Sequence, residues 1–151
     1  MSIRTSWLRG LVAMMPLNLA VLPWGVLAGS YAIDSGFSAW QAQAMSVFVF
    51  AGSAQIVATG MMAAGSGLVV LLLTVALITA RHLLYALTLR QQLHPLPARW
   101  RYSLGFLLTD ELFVLSANKT SFDHHYALAA GLSFYLCWNL STALGIVAGQ
   151  S

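Results

Sequence analysis

Charge is scarce in this chain. Of its 151 residues only four are acids and seven are Lys or Arg, so 7% carry a formal charge, against roughly a quarter in soluble domains. So few charges exclude a soluble globular body. No polar stretch exceeds about a dozen residues, which excludes a separate soluble domain beside the apolar ones. The single cysteine, Cys137, lies in an apolar run, so there is neither a disulfide framework nor a Cys-based metal site, and a buried inert thiol is the expectation. The pI is near 9.4, yet the basic residues are scattered beside apolar runs and form no patch with interleaved aromatics. Nucleic acid is therefore not an expected partner, and the positive charge is read as orienting the chain in a lipid bilayer.

What is present is apolar length. Hydrophobic residues make up 59% of the chain, and they fall into five stretches, approximately 11–32, 39–64, 68–90, 102–117 and 126–149. An α-helix rises about 1.5 Å per residue and a bilayer core is about 30 Å thick, so these predict an all-α, polytopic membrane protein with about five spans in one transmembrane domain, 1–151. The first stretch follows Arg4 and Arg9 but is too long for a signal peptide, and further apolar spans follow it. Within it, Pro16 and Pro23 share a helical face, with a Gly25-x-x-x-Gly29 step just after. That pattern predicts either a kink with a small-residue contact face or a broken helix lining a path for a solute.

The third stretch holds the main anomaly. An arginine near mid-bilayer costs roughly 2.5 to 3.5 kcal/mol on insertion scales, so Arg81 needs a partner or a wet cavity. Asp110 and Glu111 in the fourth stretch are the available carboxylates. Thr74, Ile78, Arg81, Tyr85 and Thr88 fall along one helical stripe and are expected to face inward. Gln55, closing the small-residue run Phe50-Ala51-Gly52-Ser53-Ala54-Gln55, must hydrogen-bond a neighbouring helix, a ligand or water. The fourth stretch is short and predicts a tilted helix over 102–117, although Thr109-Asp110-Glu111 also has the form of a helix start. Asp123-His124-His125 is expected in a solvated loop, because adjacent histidines diverge on a helix and no further metal ligand is fixed nearby.

Charge placement sets a topological problem. Arg4 and Arg9 argue for a cytoplasmic N-terminus, and Arg90, Arg99 and Arg101 argue for a cytoplasmic loop three spans later. Three complete crossings cannot satisfy both. Either one segment is broken or re-entrant, with the second stretch as the candidate, or the charge rule is violated at one loop.

With these residues in view the chain resembles the AzlC family, the large subunit of bacterial branched-chain amino-acid exporters. The matches are Pro16 with Pro23 and Gly25, Gly36-Phe37-Ser38, Ala51 to Gln55, Arg81-His82-Leu83-Leu84-Tyr85 with Leu89, Leu108 to Phe113 and, more weakly, Trp138 to Gly145. It departs from the usual pattern at Thr79, at the order Gly52-Ser53-Ala54-Gln55 and at Ala39-Trp40-Gln41, and it reads as a shortened member. The resemblance implies secondary export of valine-like amino acids across the bacterial inner membrane, with a small AzlD-like membrane subunit as partner. Homo-oligomerisation is also open. The residues suggest Arg81, Gln55, Ser53, Gly52 and Tyr85 for substrate binding and Asp110, Glu111 and His82 for proton exchange, with no cofactor or metal. Two other classes are compatible with a chain of this composition. An intramembrane hydrolase built on Ser53 or Ser66 with His82, or on Asp110 as half of an aspartyl pair, lacks the motifs such enzymes need, so no enzymatic activity is expected. A non-transporting assembly or regulatory subunit is the alternative.

Overall fold

The computed structural model describes residues 2–117 and 122–151, and its described elements are all helical. They are α1 (Ile3–Asp34), α2 (Ala39–Ala44), a π-helical turn (Met45–Val49), α3 (Gly52–Ala63), α4 (Leu68–Leu93), α5 (Ala98–Phe106), α6 (Asp110–Ala117) and α7 (His124–Gly149). Among the described residues α1, α4 and α7 are long and apolar enough to cross a membrane.

Two expected segments are instead pairs of short helices. The second stretch breaks at Phe50, which takes a left-handed φ of 45° after the π-helical turn, and at Ala51, whose φ and ψ of −136° and 78° are not helical. The fourth stretch also breaks, at Leu107, Leu108 and Thr109. The single tilted helix expected over 102–117 is thus corrected to α5 and α6. The cause is local: the Leu112 N–H donates to Thr109 Oγ1 at 3.4 Å, and Asp110 and Glu111 occupy the first turn, where the helix dipole favours negative charge. By contrast α1 runs unbroken through Pro16 and Pro23, which removes the broken-helix reading there, and it begins at Ile3 instead of residue 11.

The chain folds into two compact units. One comprises residues 1–19 and 81–135. Its core is Met14, Leu89, Leu104, Leu107, Leu108, Leu112, Ala129, Ala130 and Phe134. Gly10 lets α1 approach α7, since a Cβ there would meet the Tyr126 carbonyl, and Asn18 Nδ2 donates to Ser133 Oγ at 2.7 Å. The other unit comprises residues 20–80 and 136–151, with Ala28, Ala32, Ala42, Phe50, Ala54, Ala58, Trp138 and Ile146 buried. Here Gly25 and Gly29 do form the small-residue face, set against Ser141, Thr142 and Ile146 of α7.

Ser38 and Gln41 start α2 with a reciprocal capping box, in which the Gln41 N–H donates to Ser38 Oγ and the Ser38 N–H to Gln41 Oε1. Asp123 starts α7, its Oδ1 accepting from the N–H groups of His125 and Tyr126 at 3.0 and 3.1 Å. His124 and His125 therefore belong to the first helical turn and pack on Trp100 with centroids 4.4 and 5.0 Å away, which corrects the solvated-loop expectation. Residues 118–121 of that expected loop lie outside the described residues.

Burial alone would raise the pKa of Asp123, but hydrogen bonds from the Ser6 hydroxyl and from the Tyr126 and His125 N–H groups outweigh it and hold the carboxyl below its ordinary value of 3.8. A carboxyl depressed in the folded state stabilises that state above the unfolded pKa, and the benefit is lost as pH falls through the folded value. Asp123→Ala should thus cost about 1 kcal/mol at neutral pH, the usual worth of a helix cap. In thermal unfolding of the solubilised protein, the gap to wild type should shrink as pH drops below about 4. A gap that stays constant down to about pH 3 would show that charge plays no part in this cap.

Candidate functional site

In the unit built from residues 1–19 and 81–135, the chemistry centres on Arg81 and Asp110. Arg81 lies near the middle of α4, and Asp110 opens α6 because the chain breaks just before it. Arg81 Nη1 is 2.9 Å from Asp110 Oδ2, so of the two carboxylates expected for the arginine it meets Asp110. Tyr85, one turn further along α4, approaches the same carboxylate. Asp110 Oδ1 is enclosed and has no hydrogen-bond partner. The Tyr85 ring stacks on Phe113 of α6 with centroids 4.2 Å apart, and His82 meets Tyr85 edge-on at 5.8 Å. Glu111 is half-buried and follows Asp110 about 100° further round the helix.

This pair is not sealed inside the chain. The two side chains retain 44% and 38% of their exposure, and no residue of the most apolar window of α4 is buried. The inward stripe expected on α4 is therefore met only in part. Arg81 and Tyr85 find partners on α6, whereas Thr74, Thr79 and Thr88 return their hydroxyls to carbonyls one turn back at 2.8 Å. Leu72, Leu73, Leu77, Leu83, Leu84 and Leu87 face outward. At membrane depth an ion pair this open needs lipid-excluded surroundings, because hydrocarbon solvates neither charge.

The second candidate lies in the unit of residues 20–80 and 136–151, where the break at Phe50–Ala51 separates the π-helical turn from α3. Gln55 is 1% exposed and folds back across this break, its Nε2 donating to Ser46 Oγ on the π-helical turn at 2.8 Å. Ser46 in turn donates to Thr142 Oγ1 at 2.8 Å, and Thr142 to the Trp138 carbonyl at 2.9 Å. Gln43 reaches Asn139 Oδ1 at 3.0 Å in the same unit. Gly52 packs tightly on Trp138: a Cβ would lie 3.2 Å from its Cη2, so the indole would have to give by a few tenths of an ångström. Ser53 is exposed beside it. Phe50's left-handed backbone costs about 1 to 3 kcal/mol, and such strain is kept where the surroundings over-determine it.

The expected residues thus divide. Arg81, His82, Tyr85, Asp110 and Glu111 belong to the first unit, and Gly52, Ser53 and Gln55 to the second. Ser46 and Thr142 were not foreseen; their polar role appears only once α7 supplies the partner. Trp138 and Asn139 were visible as polar-capable residues in the last stretch, with nothing in the sequence tying them to residues 43–55.

Residues 16–151 match the family described as AzlC protein. The chain is similar to inner membrane protein YgaZ of Escherichia coli (strain K12), 29% identical over 151 residues, covering 96% of this chain and 62% of that protein. It is 29% identical over 143 residues to an uncharacterized membrane protein of Archaeoglobus fulgidus, covering 95% and 63% of the two chains. It is also 32% identical over 137 residues to an uncharacterized membrane protein of Helicobacter pylori, covering 87% and 59%. The chain therefore spans about 60% of the length of these relatives. No solved structure matches it.

Proposed function

Starting from a chain that belongs to the AzlC family, we propose that it exports branched-chain or similar small apolar amino acids across the bacterial inner membrane as a proton-coupled secondary transporter. The observation that carries this reading is the Arg81–Asp110 pair, a half-exposed ion pair where a long apolar helix meets the start of a broken one. Membrane proteins keep intramembrane charge where it serves ions or solutes, and they place discontinuous helices at such points. In this reading Arg81, with Tyr85 beside it, attracts a substrate carboxylate and so frees Asp110 to take a proton. Glu111 and His82 relay that proton. Gly52, Ser53 and Gln55, in the other unit, are a separate candidate for substrate contact. The Escherichia coli relative is an inner membrane protein, which supports the location.

The same reading counts five membrane segments in one transmembrane domain: α1, α4 and α7 as complete spans, with α2 to α3 and α5 to α6 as broken ones. It adds a small AzlD-like subunit, or a second copy of the chain, as the cover that the open ion pair on α4 requires. That openness also favours the alternative, a non-transporting membrane subunit whose charged face docks on a partner.

Efflux of preloaded labelled valine from vesicles, with and without the small subunit, separates the two. Export that rises with an imposed proton gradient supports the transporter; no efflux under either condition leaves the docking subunit. Asp110→Asn should flatten the pH dependence of efflux, because the amide cannot exchange the proton. A wild-type pH profile in that variant removes Asp110 from the coupling step.

A further inference from the structure

Positive charge is confined to one part of the chain. Residues 20–80 and 136–151 contain no Lys or Arg, so Arg4, Arg9, Arg90, Arg99 and Arg101 all belong to the other unit. Three complete crossings between Arg9 and Arg90 would put the first two and the last three on opposite faces of the membrane, against the rule that arginine stays inside. The packing within each unit removes that conflict.

In the unit of residues 20–80 and 136–151, α2 leaves the end of α1 through the short connection 35–38, and Ala42 packs with Ala32 and Ile146. The other arm, α3, comes back to the same place. A Cβ at Gly60, in the last turn of α3, would meet the Tyr31 hydroxyl, from the last turn of α1, at 2.5 Å. Only residues 64–67 separate α3 from α4, so α4 starts at that end as well. Between the two arms the break reaches inward, for Gly52 lies on Trp138, about 16 Å along α7 from its end at Gly149 and roughly half the depth of a bilayer core. The end of α7 is here too, with Gly149 beside Ser30 and Ile33 of α1.

The unit of residues 1–19 and 81–135 holds a second pair that starts and finishes at one place. Trp100, in the first turn of α5, packs on His124 and His125 at the start of α7. Ser116, in the last turn of α6, lines one small cavity with Leu93 at the end of α4 and with Phe122 and Ala127 at the start of α7. The break between these arms lies deeper, since Leu107 is against Gly131, about 10 Å along α7 from its start. A hydrogen bond from the Ser6 hydroxyl to Asp123 sets the start of α1 beside the start of α7.

We propose that α2–α3 and α5–α6 are both re-entrant, so that between residues 3 and 149 the chain crosses the inner membrane three times, through α1, α4 and α7, with its arginine-bearing helix ends at the anionic cytoplasmic leaflet. From that leaflet α1 crosses outward, α2–α3 dips in from the outer face and returns to it, α4 crosses back, and α5–α6 dips in from the cytoplasmic face. Arg4, Arg9, Arg90, Arg99 and Arg101 then share the cytoplasmic side, and Asp34 lies on the other. Backbone that turns inside a bilayer is tolerated where protein surrounds it, and each break packs on α7. A carrier and a docking subunit would be threaded alike.

The test is labelling of single cysteines by a membrane-impermeant maleimide in intact cells that make the full chain, with Cys137→Ser as the background and permeabilised cells as the reference. Ser35→Cys, Ser66→Cys and Gln150→Cys should label as strongly in intact cells as in permeabilised ones. Ser2→Cys and His94→Cys should label only after permeabilisation. Gly67→Cys, where a Cβ meets nothing within 4 Å, reports on the same turn should Ser66→Cys fail to accumulate. Protection of Ser66→Cys or Gly67→Cys in cells where Ser35→Cys labels makes α2–α3 a complete crossing and overturns the proposal. Protection of Gln150→Cys where Ser66→Cys labels does the same through α5–α6. Labelling of Ser2→Cys and His94→Cys in intact cells with Ser35→Cys protected reverses the orientation and overturns the assignment of the arginines to the cytoplasmic leaflet.

Discussion

Arg81→Ala is expected to lower valine efflux at least about a hundredfold while membrane levels stay measurable, an effect of about 2.7 kcal/mol. The reason is asymmetry. Asp110 keeps its charge, loses the Nη1 donor 2.9 Å away, and is left with Oδ1 already lacking a partner. Removing one member of a partly desolvated pair is commonly worse than removing both. The double variant Arg81→Ala with Asp110→Asn therefore decides what the pair is for. Both charges are then gone and stability should recover toward wild type, with a coupling energy of about 1 to 3 kcal/mol in the mutant cycle. If the pair serves export, efflux stays lost in that stable protein. Wild-type efflux in the double variant would instead make the pair a strut between α4 and α6. Arg81→Lys should retain an intermediate rate, because an ammonium supplies the charge without the planar guanidinium geometry.

How much of this could be read beforehand follows from what each feature depends on. The pairing of Arg81 with a carboxylate of the fourth stretch was legible because an intramembrane cation forces the question and the sequence contains few answers. The break before α3 was legible from Gly52 to Gln55, a run too small and too polar to continue a lipid-facing helix. The break before α6 carried an equally good local signature in Thr109, Asp110 and Glu111, yet apolar length on both sides reads as one continuous segment. Periodicity cannot see a three-residue gap between two short helices. The start of α1 at Ile3 was missed because Arg4, Thr5, Ser6 and Arg9 look like flanking sequence, although nothing there breaks a helix. The Gln55–Ser46–Thr142 chain lay beyond any local reading, since its two ends are 87 residues apart in sequence and only the folded α7 brings them together.

The same distinction between local and tertiary signal gives the largest expected stability effect. Gly145→Ala should destabilise the protein by about 3 kcal/mol, at the severe end of overpacking, and lower its melting temperature by about 6 to 12 °C. In the unit of residues 20–80 and 136–151, a Cβ at Gly145 of α7 would overlap the Val26 carbonyl oxygen of α1 and lie 2.8 Å from the Val26 carbonyl carbon and 2.9 Å from its Cα. These are backbone atoms, so no side-chain rotation relieves the contact, and the two helices must separate. Separation would also disturb Gly25 and Gly29, which meet Ser141, Thr142 and Ile146 along the same crossing. Gly105→Ala is the matched control: Gly105 lies inside α5, and a Cβ there meets nothing within 4 Å. With open space and a helical backbone, alanine should stabilise by up to about 1 kcal/mol, because glycine loses more conformational freedom on folding. Thermal unfolding of both variants in detergent should therefore show shifts of opposite sign from the same chemical change. Equal shifts would mean that α1 and α7 do not cross at the distance described.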